Sequence, residues 1–275
     1  MAITNFIPTV WSETLYNNLE KKYIAVSHCN RDFEGDIKEK GAVVKICGVG
    51  NITIGNYTKD TDMSTPQTLS DTCQELKIDQ AKYFNFQIDD IDQAQCSPKL
   101  MEAAMKLAAS GLANAADKYI YALYENAGIN VSGIEGKIIE SIIKARALLY
   151  KNNVSDSEEV VVEISPDVAR CLMTEKADIL TDNNMLVESG CIGSIAGCKI
   201  YVSNNIYWDD NAGTVIHHCI MRTKRAIAFA EQLSEINAYR PEKRFADAVK
   251  GLYLFGGKVI YPNEFVALNI ETYID

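Results

Sequence analysis

Short runs of alternating hydrophobic and polar residues in the first third of the chain predict β-strands. The runs cover residues 41–47, 51–57, 75–78 and 82–88. In the last run Phe84, Phe86 and Ile88 fall on one side, because side chains alternate between the two faces of a strand. We expect these three side chains to anchor the base of an extended loop.

A long polar stretch, residues 48–74, overlaps these strands. It is rich in Gly, Thr, Asp and Asn and contains Pro66. A loop of this length is uncommon within a compact domain and is usually functional. A two-stranded ribbon is also unstable in water without a surface to lie on. Since the sequence offers no obvious internal partner, we expect a neighbouring copy of the chain to shelter the ribbon.

The strongest helical pattern in the chain covers residues 97–128. Ser97 and Pro98 supply an N-cap and a proline at the first helical position, and apolar residues then recur at helical spacing. A helix of about 30 residues would be about 45 Å long. We expect its core face to carry Leu100, Leu107 and Leu123.

Further helices and strands are predicted on both sides of this long helix. Residues 6–24 form a first helix whose narrow stripe of Leu15, Leu19 and Tyr23 suits an arm lying on another surface. A later helix is predicted at residues 135–150, with Ile138, Ile142, Ala145 and Leu149 on one stripe. Another is predicted at 168–180, after a helix start at Ser165 and Pro166. Later strands are predicted at 159–164, 199–202, 214–221, 252–255, 258–261 and 265–268.

Composition narrows the classes of protein to which the chain can belong. Its 275 residues are 47% hydrophobic, enough for one large or two modest domains. A formal net charge of -10 argues against a basic nucleic-acid binder, although enclosing nucleic acid requires no affinity. We see no signal peptide, and no apolar run reaches the roughly 20 residues that span a bilayer. The eight cysteines lack C-x-x-C spacing, which predicts reduced thiols in the cytosol or in a particle assembled there.

Catalytic and metal-binding patterns are weak. In the run His217-His218-Cys219, only His217 and Cys219 could share a face of a strand, and a zinc site needs further ligands. Cys191 and Cys198 could pair, but two buried thiols are favoured. The chain has three histidines and no G-x-S-x-G sequence. We therefore predict no catalytic residue, no cofactor and no metal ligand, and no enzymatic activity.

Five segments resemble the major capsid (coat) proteins of tailed bacteriophages, in particular the podovirus-like coat protein group. They are Ile7-Pro-Thr-Val-Trp-Ser-Glu13, Asn30-Arg-Asp-Phe-Glu-Gly35, Gly41-Ala-Val-Val-Lys-Ile46, the stretch 82–90, and the late stretch 240–260. They occur in the order typical of that family, and the resemblance covers essentially the whole chain. It implies an α+β protein with the Hong Kong ninety-seven type capsid fold.

The resemblance also implies a division of the chain. The expected parts are an N-terminal arm (1–30), an extended loop or E-loop with flanking strands (31–95), a peripheral P domain with a long spine helix (96–129), an axial A domain (130–238) and returning P-domain strands (239–275). Because the arm begins almost at Met1, we expect an uncleaved subunit and a separate scaffolding protein.

The function implied by the resemblance is self-assembly. Pentamers and hexamers would form an icosahedral shell around double-stranded DNA without sequence-specific binding, with a scaffolding protein and a portal as partners and no membrane. Assembly would occur in the bacterial host cytoplasm and place the chain in the virion. The expected inter-subunit residues are Trp11, Tyr57, Phe84, Phe86 and Ile88. Two alternatives remain: the shell protein of a cargo-holding nanocompartment of the same fold, and a metal-dependent hydrolase.

Overall fold

The structure of the chain is a computed structural model. It describes residues 15, 18–19, 23–32, 43–49, 59, 71–89, 100–154, 158–175, 191–211, 213–242 and 245–273. Most of the helix predicted at 6–24, the strand predicted at 51–57, and the candidate residues Trp11 and Tyr57 lie outside these described residues.

The elements whose bounds are described include strands and three α-helices, and Leu15, Asn18 and Leu19 are also helical. The strands are β1 (Val43–Val49), β2 (Asp71–Lys77), β3 (Gln80–Asp89), β4 (Ile129–Ile134), β5 (Val160–Ile164), β6 (Cys191–Ile195), β7 (Cys198–Val202), β8 (Trp208–Asn211), β9 (Thr214–Thr223), β10 (Ile227–Tyr239), β11 (Ala246–Val259) and β12 (Phe265–Tyr273). The helices are α1 (Leu100–Ala122), α2 (Ile138–Lys151) and α3 (Pro166–Thr174). Among the residues described, no helix is both long and apolar enough to cross a membrane.

A mixed seven-stranded sheet carries most of the second half of the chain. Its strand order is β4-β12-β9-β5-β7-β6, with β8 also paired to β9. The β12–β4 and β5–β7 pairs are parallel and the others are antiparallel. Every residue of β5 is buried, as expected for a central strand covered on both faces.

Helix α2 packs on this sheet with the stripe that the sequence predicts. Ile138, Ile142, Ala145 and Leu149 are all fully buried, which confirms the predicted spacing. Glu175, just beyond the end of α3, accepts hydrogen bonds from the Ile138 and Ile139 N–H groups at 2.8 and 3.3 Å. This carboxylate satisfies donors that the first turn of a helix leaves unpaired.

Helix α1 exists where predicted, but its core face differs from the predicted one. Leu107 is 75% exposed, so its assignment to the core is wrong. The buried residues are Met105, Ala109, Leu112, Ala113, Ala116, Asp117, Ile120 and Tyr121. Alanines occur on several sides of this helix, so hydrophobicity alone is compatible with two different buried faces. The face that is buried in the structure also contains a charged residue, Asp117. Leu123 is partly buried against the core, and the side chain of Leu100 is outside the described part.

A three-stranded antiparallel sheet, β10-β11-β3, packs against α1. Strand β10 was not predicted from the sequence. Strands β11 and β12 follow each other in the chain, yet β11 belongs to this sheet and β12 to the seven-stranded sheet. The range 239–275 is therefore shared between the two sheets, and the domain boundaries given above stay a prediction.

The predicted two-stranded ribbon is present as β1 and β2, paired antiparallel from Val43–Lys77 to Val49–Asp71. The expectation that it lacks an internal partner is wrong for its base. Side chains from both strands and the following residue pack on the three-stranded sheet, in a cluster of Val44, Ile46, Leu76, Ile78, Ala228, Ala230, Leu254 and Ile260. The covering surface comes from residues about 180 positions later in the chain, which local sequence patterns do not reveal.

Candidate functional site

The described residues offer no cluster suited to holding a metal ion, although His218 Nε2 lies 3.0 Å from Asp209 Oδ2. Within these ranges, no group of three or more His, Cys, Asp or Glu side chains is placed to hold a metal ion. His217 lies in β9 with its Nε2 atom 3.1 Å from Thr272 Oγ1, and burial lowers its pKa. Cys198 and Cys219 are fully buried thiols, as the sequence predicts for Cys198. The structure therefore supplies no support for the hydrolase alternative in the part of the chain that it describes.

The root of the predicted N-terminal arm, residues 23–31, is held by buried polar contacts to its own subunit. The Asp117 carboxylate on α1 accepts hydrogen bonds from the Ile24 and Val26 N–H groups at 3.0 and 3.1 Å. Burial raises the pKa of Asp117 to about 6, and these hydrogen bonds offset only part of that effect. Asp117 is therefore buried in the core face of α1 because its carboxylate accepts hydrogen bonds from the backbone N–H groups of the arm root.

Arg222 fixes the same segment to the seven-stranded sheet. Its guanidinium is fully buried and donates to the carbonyls of Ala25 and His28 at 2.8 and 2.6 Å. It also pairs with the buried Glu163 at 3.1 Å, and His28 Nδ1 lies 3.0 Å from the same carboxylate. Burial alone would raise the pKa of Glu163, but Arg222 and His28 outweigh it and hold that pKa below its usual value.

A second buried carboxylate connects the segment to the three-stranded sheet. The phenols of Tyr23 and Tyr253 both donate to Glu231, and Arg31 pairs with it at 2.5 Å. Asn30 also forms a backbone bridge to β10, with its N–H 2.9 Å from the Ile227 carbonyl. The root of the arm is therefore an integral part of the subunit body. Leu15 and Leu19 of the arm are also buried in the main core of the same subunit, so at these positions the expected stripe packs on its own chain.

Three of the predicted inter-subunit residues are brought together on β3. Phe84 and Phe86 are partly buried against the main core with ring centroids 6.0 Å apart, and Ile88 is buried. Opposite Phe84 the partner strand has Gly251, where an added Cβ would lie 2.5 Å from the Phe84 ring. Their described contacts, with the main core and with Gly251, support β3 from its inner face.

The opposite face of the same sheet carries a surface that sequence reasoning missed. Tyr83 on β3 and Leu252 on β11 are cross-strand partners and are 79% and 39% exposed. With Asn85, Asn237 and Lys250 they line a cavity of about 340 Å³. We call these five residues the outer-sheet patch. Tyr83 is the large apolar side chain on the outward face of β3, where Asn85, Gln87 and Asp89 are polar, and this contrast was the available signal in the sequence.

The outer-sheet patch adjoins the ribbon base on one continuous face. Leu254, two residues beyond Leu252 and therefore on the same side of β11, is buried beneath the ribbon. The part of this sheet face around Leu254 is thus covered by the chain's own ribbon, whereas the adjoining part with Tyr83 and Leu252 is exposed. Large exposed apolar residues with a polar rim are typical of protein–protein contact surfaces.

Comparison with known proteins identifies relatives by structure and not by sequence. No family model matches the chain, and no curated protein matches it in sequence. A solved chain from Mycobacterium phage Che8 is 26% identical, covers 90% of each chain and superposes with a TM-score of 0.69. The capsid structure of the Cyanophage P-SCSP1u is 14% identical, covers 88% of this chain and 86% of that one, and gives a TM-score of 0.65.

A third similar structure is described as a virus-like particle. The virus-like particle from Pyrococcus furiosus is 12% identical, covers 94% of this chain and 97% of that chain, and gives a TM-score of 0.57. At such identities these likenesses concern the fold. They confirm the α+β capsid-type fold that the five sequence segments predict.

Proposed function

We propose that this chain, which has the fold of the tailed-phage major capsid proteins, is the major capsid protein of a tailed phage. Many copies would form pentamers and hexamers that close into an icosahedral shell around double-stranded DNA. The observation that carries the proposal is the fold itself, matched over about nine-tenths of the chain by structures from several phages. The role is structural and non-enzymatic.

The described part of the chain consists of a rigid body and a two-stranded ribbon, and this division suits a shell subunit. Buried ion pairs and hydrogen bonds tie residues 23–31 to α1 and to both sheets, which makes one body of elements far apart in the sequence. Ribbon strands β1 and β2 pair with each other, and the base of the ribbon packs on that body. A two-stranded ribbon needs a covering surface along its length, and a sister subunit is the available one.

The outer-sheet patch is the surface that we assign to this contact. A ribbon from a neighbouring copy would continue along the face that the subunit's own ribbon base already covers. Phe84, Phe86 and Ile88 stay proposed inter-subunit residues, and their contacts within the subunit fix the position of β3 from its inner face. Trp11 and Tyr57 stay proposed inter-subunit residues on the strength of the sequence resemblance.

Contacts of this kind join different patches on identical subunits and close into rings when the rotation permits. Each contact can be weak, because ring closure raises the effective concentration of the next one. A net charge of -10 favours a container that does not bind its DNA tightly. A scaffolding protein, a portal, assembly in the bacterial host cytoplasm and a final place in the virion are proposed from the resemblance alone.

A second candidate is the shell of a cargo-holding nanocompartment. The observation that favours it is the likeness to the virus-like particle from Pyrococcus furiosus, which extends over nearly the full length of both chains. The two functions share the subunit and the closed shell and differ in what the shell contains.

One experiment tests both candidates. The chain is expressed alone and together with the neighbouring genes of its source, and the particles are examined by size-exclusion chromatography and electron microscopy. Closed icosahedral shells that contain DNA support the phage capsid, whereas closed shells that contain a protein cargo and no DNA support the nanocompartment. A chain that stays monomeric under all of these conditions contradicts both.

A further inference from the structure

The ribbon joins the three-stranded sheet at a corner formed by Ile78 and Asp79. Strand β2 ends at Lys77 and β3 begins at Gln80, so these two residues turn the chain from the ribbon into the sheet. The corner crosses β11 at Gly256. A Cβ atom added to Gly256 would lie 2.2 Å from the Lys77 carbonyl oxygen and 3.0 Å from the Ile78 Cα atom.

Both of these neighbours are backbone atoms, so no change of side-chain rotamer could make room. An ordinary contact between a carbon and a backbone oxygen is longer by about 1 Å. Any side chain at position 256 would therefore push the ribbon corner away from β11. Glycine is required here for a close approach of two backbones.

Two hydrogen bonds between the ribbon and the sheet region use side-chain donors. Lys258 Nζ donates to the Glu75 carbonyl at 3.0 Å, and Gln74 Nε2 donates to the Ile260 carbonyl at 3.4 Å. These are long, flexible side chains that can follow a displaced ribbon. The backbone contact at Gly256 cannot adjust in this way.

The next residue makes a similar approach on the opposite side of β11. A Cβ atom added to Gly257 would lie 3.1 Å from Ile120 Cδ1 and 3.3 Å from Tyr119 Cε1, both on α1. Tyr119 also donates from its hydroxyl to the Gly257 carbonyl at 3.3 Å. At this point the ribbon, β11 and α1 approach each other as three closely spaced layers.

We propose that Gly256 is a positioning residue for shell assembly, which sets the direction in which the ribbon leaves its subunit. The proposal rests on the shell function proposed above. The ribbon strands are seven residues long, or about 23 Å at the usual rise per residue. Because the ribbon is anchored at its base, a displacement at Gly256 is enlarged towards its far end, where a neighbour would be contacted.

The test compares Gly256→Ala with two other variants and the wild-type chain. Gly111→Ala is the matched control, because Gly111 is exposed on α1 and an added Cβ there meets nothing within 4 Å. Leu76→Ala loosens the ribbon base by removing a buried side chain and leaves the corner without a clash. Each variant is examined for hydrogen exchange in free subunits and for shell formation by electron microscopy.

For Gly256→Ala we expect amides of β2 and the corner to exchange about tenfold faster or more, while amides of β5 keep their protection. Shells of wild-type diameter should be lost or replaced by other particles. Gly111→Ala should match the wild type, and Leu76→Ala should give fewer shells of unchanged diameter.

Three outcomes would overturn the proposal. They are wild-type shells from Gly256→Ala at wild-type yield, loss of β5 protection in that variant, and identical particles from Gly256→Ala and Leu76→Ala. If the wild-type chain itself forms no shells, the proposed function fails instead, and the exchange data still show whether Gly256 sets the position of the ribbon.

Discussion

Arg222 and Glu163 form an ion pair with an N–O distance of 3.1 Å, and both side chains are fully buried. Arg222 comes from β9 and Glu163 from β5, and the arginine also donates to carbonyls of the arm root. Removing one partner of such a pair leaves an uncompensated charge in the core, which is far more costly than losing an exposed pair.

We therefore expect Arg222→Met to lower the free energy of unfolding by about 3–5 kcal/mol. Lys199→Met is the control, because it breaks the exposed pair with Glu159 and should cost less than about 1 kcal/mol. Urea denaturation of both variants measures the difference. Equal effects would show that Arg222 does not hold the arm root and the sheet together.

The pH dependence of stability should contain a contribution from Asp117. Its carboxyl has an ordinary pKa of 3.8 and a folded-state pKa raised to about 6, so the folded chain binds its proton more tightly than the unfolded chain. The stability from this group is fully present below about pH 3.8 and is lost as the pH rises through about 6.

Asp117→Asn removes that titration. The free energy of unfolding of the wild type should therefore decrease relative to that of Asp117→Asn as the pH rises through this window. Denaturation curves at several pH values between about 4 and about 7 measure it, and subtracting the variant removes the contribution of Glu163, whose shift is opposite in sign. A difference independent of pH would contradict the assignment.

The core face of α1 can be tested by a pair of leucines on the same helix. Leu112 is 6% exposed and Leu107 is 75% exposed. Leu112→Ala should cost about 2–5 kcal/mol because it leaves a cavity, whereas Leu107→Ala should change stability by less than about 0.5 kcal/mol. Thermal unfolding distinguishes them, and the reverse order would restore the face predicted from the sequence.

Deletion of residues 48–74 tests the role of the ribbon. Val44, Ile46, Leu76 and Ile78 stay in place and can still cover the three-stranded sheet. We expect folded subunits with near-normal unfolding temperatures that form no closed shells. Lys59→Ala, within the deleted stretch, is the control for a local change. Closed shells from the deletion variant, seen by electron microscopy, would show that the ribbon is not needed for assembly.

The outer-sheet patch should matter for assembly and not for folding. Tyr83→Asp and Leu252→Asp place a charge on an exposed surface, so each should change the free energy of unfolding by about 1 kcal/mol or less. A desolvated contact in the shell would instead lose about 2 kcal/mol or more, enough to reduce shell yield strongly. Leu107→Asp is the control for an exposed leucine away from this sheet face. Sedimentation of assembled particles compares the three.

The sequence by itself determined those features that depend on local periodicity and on a few residues with special chemistry. The stripe of α2, the Ser165–Pro166 start of α3, the long α1 and the inward side of β3 were all predicted from neighbouring positions. The five family-like segments predicted the capsid-type fold as well, because each is a short contiguous stretch that can be compared with a family without knowing the tertiary structure.

Only the tertiary structure decided how these elements meet. In α1, Asp117 is buried and Leu107 is exposed, because the backbone N–H groups of the arm root need an acceptor. The tertiary structure also separated β11 and β12 into different sheets, and it placed the ribbon corner against Gly256. The contacts of Asp117 and Gly256 join residues about 90 to 180 positions apart, so the free energy that selects them comes from packing and hydrogen bonds that no local pattern contains.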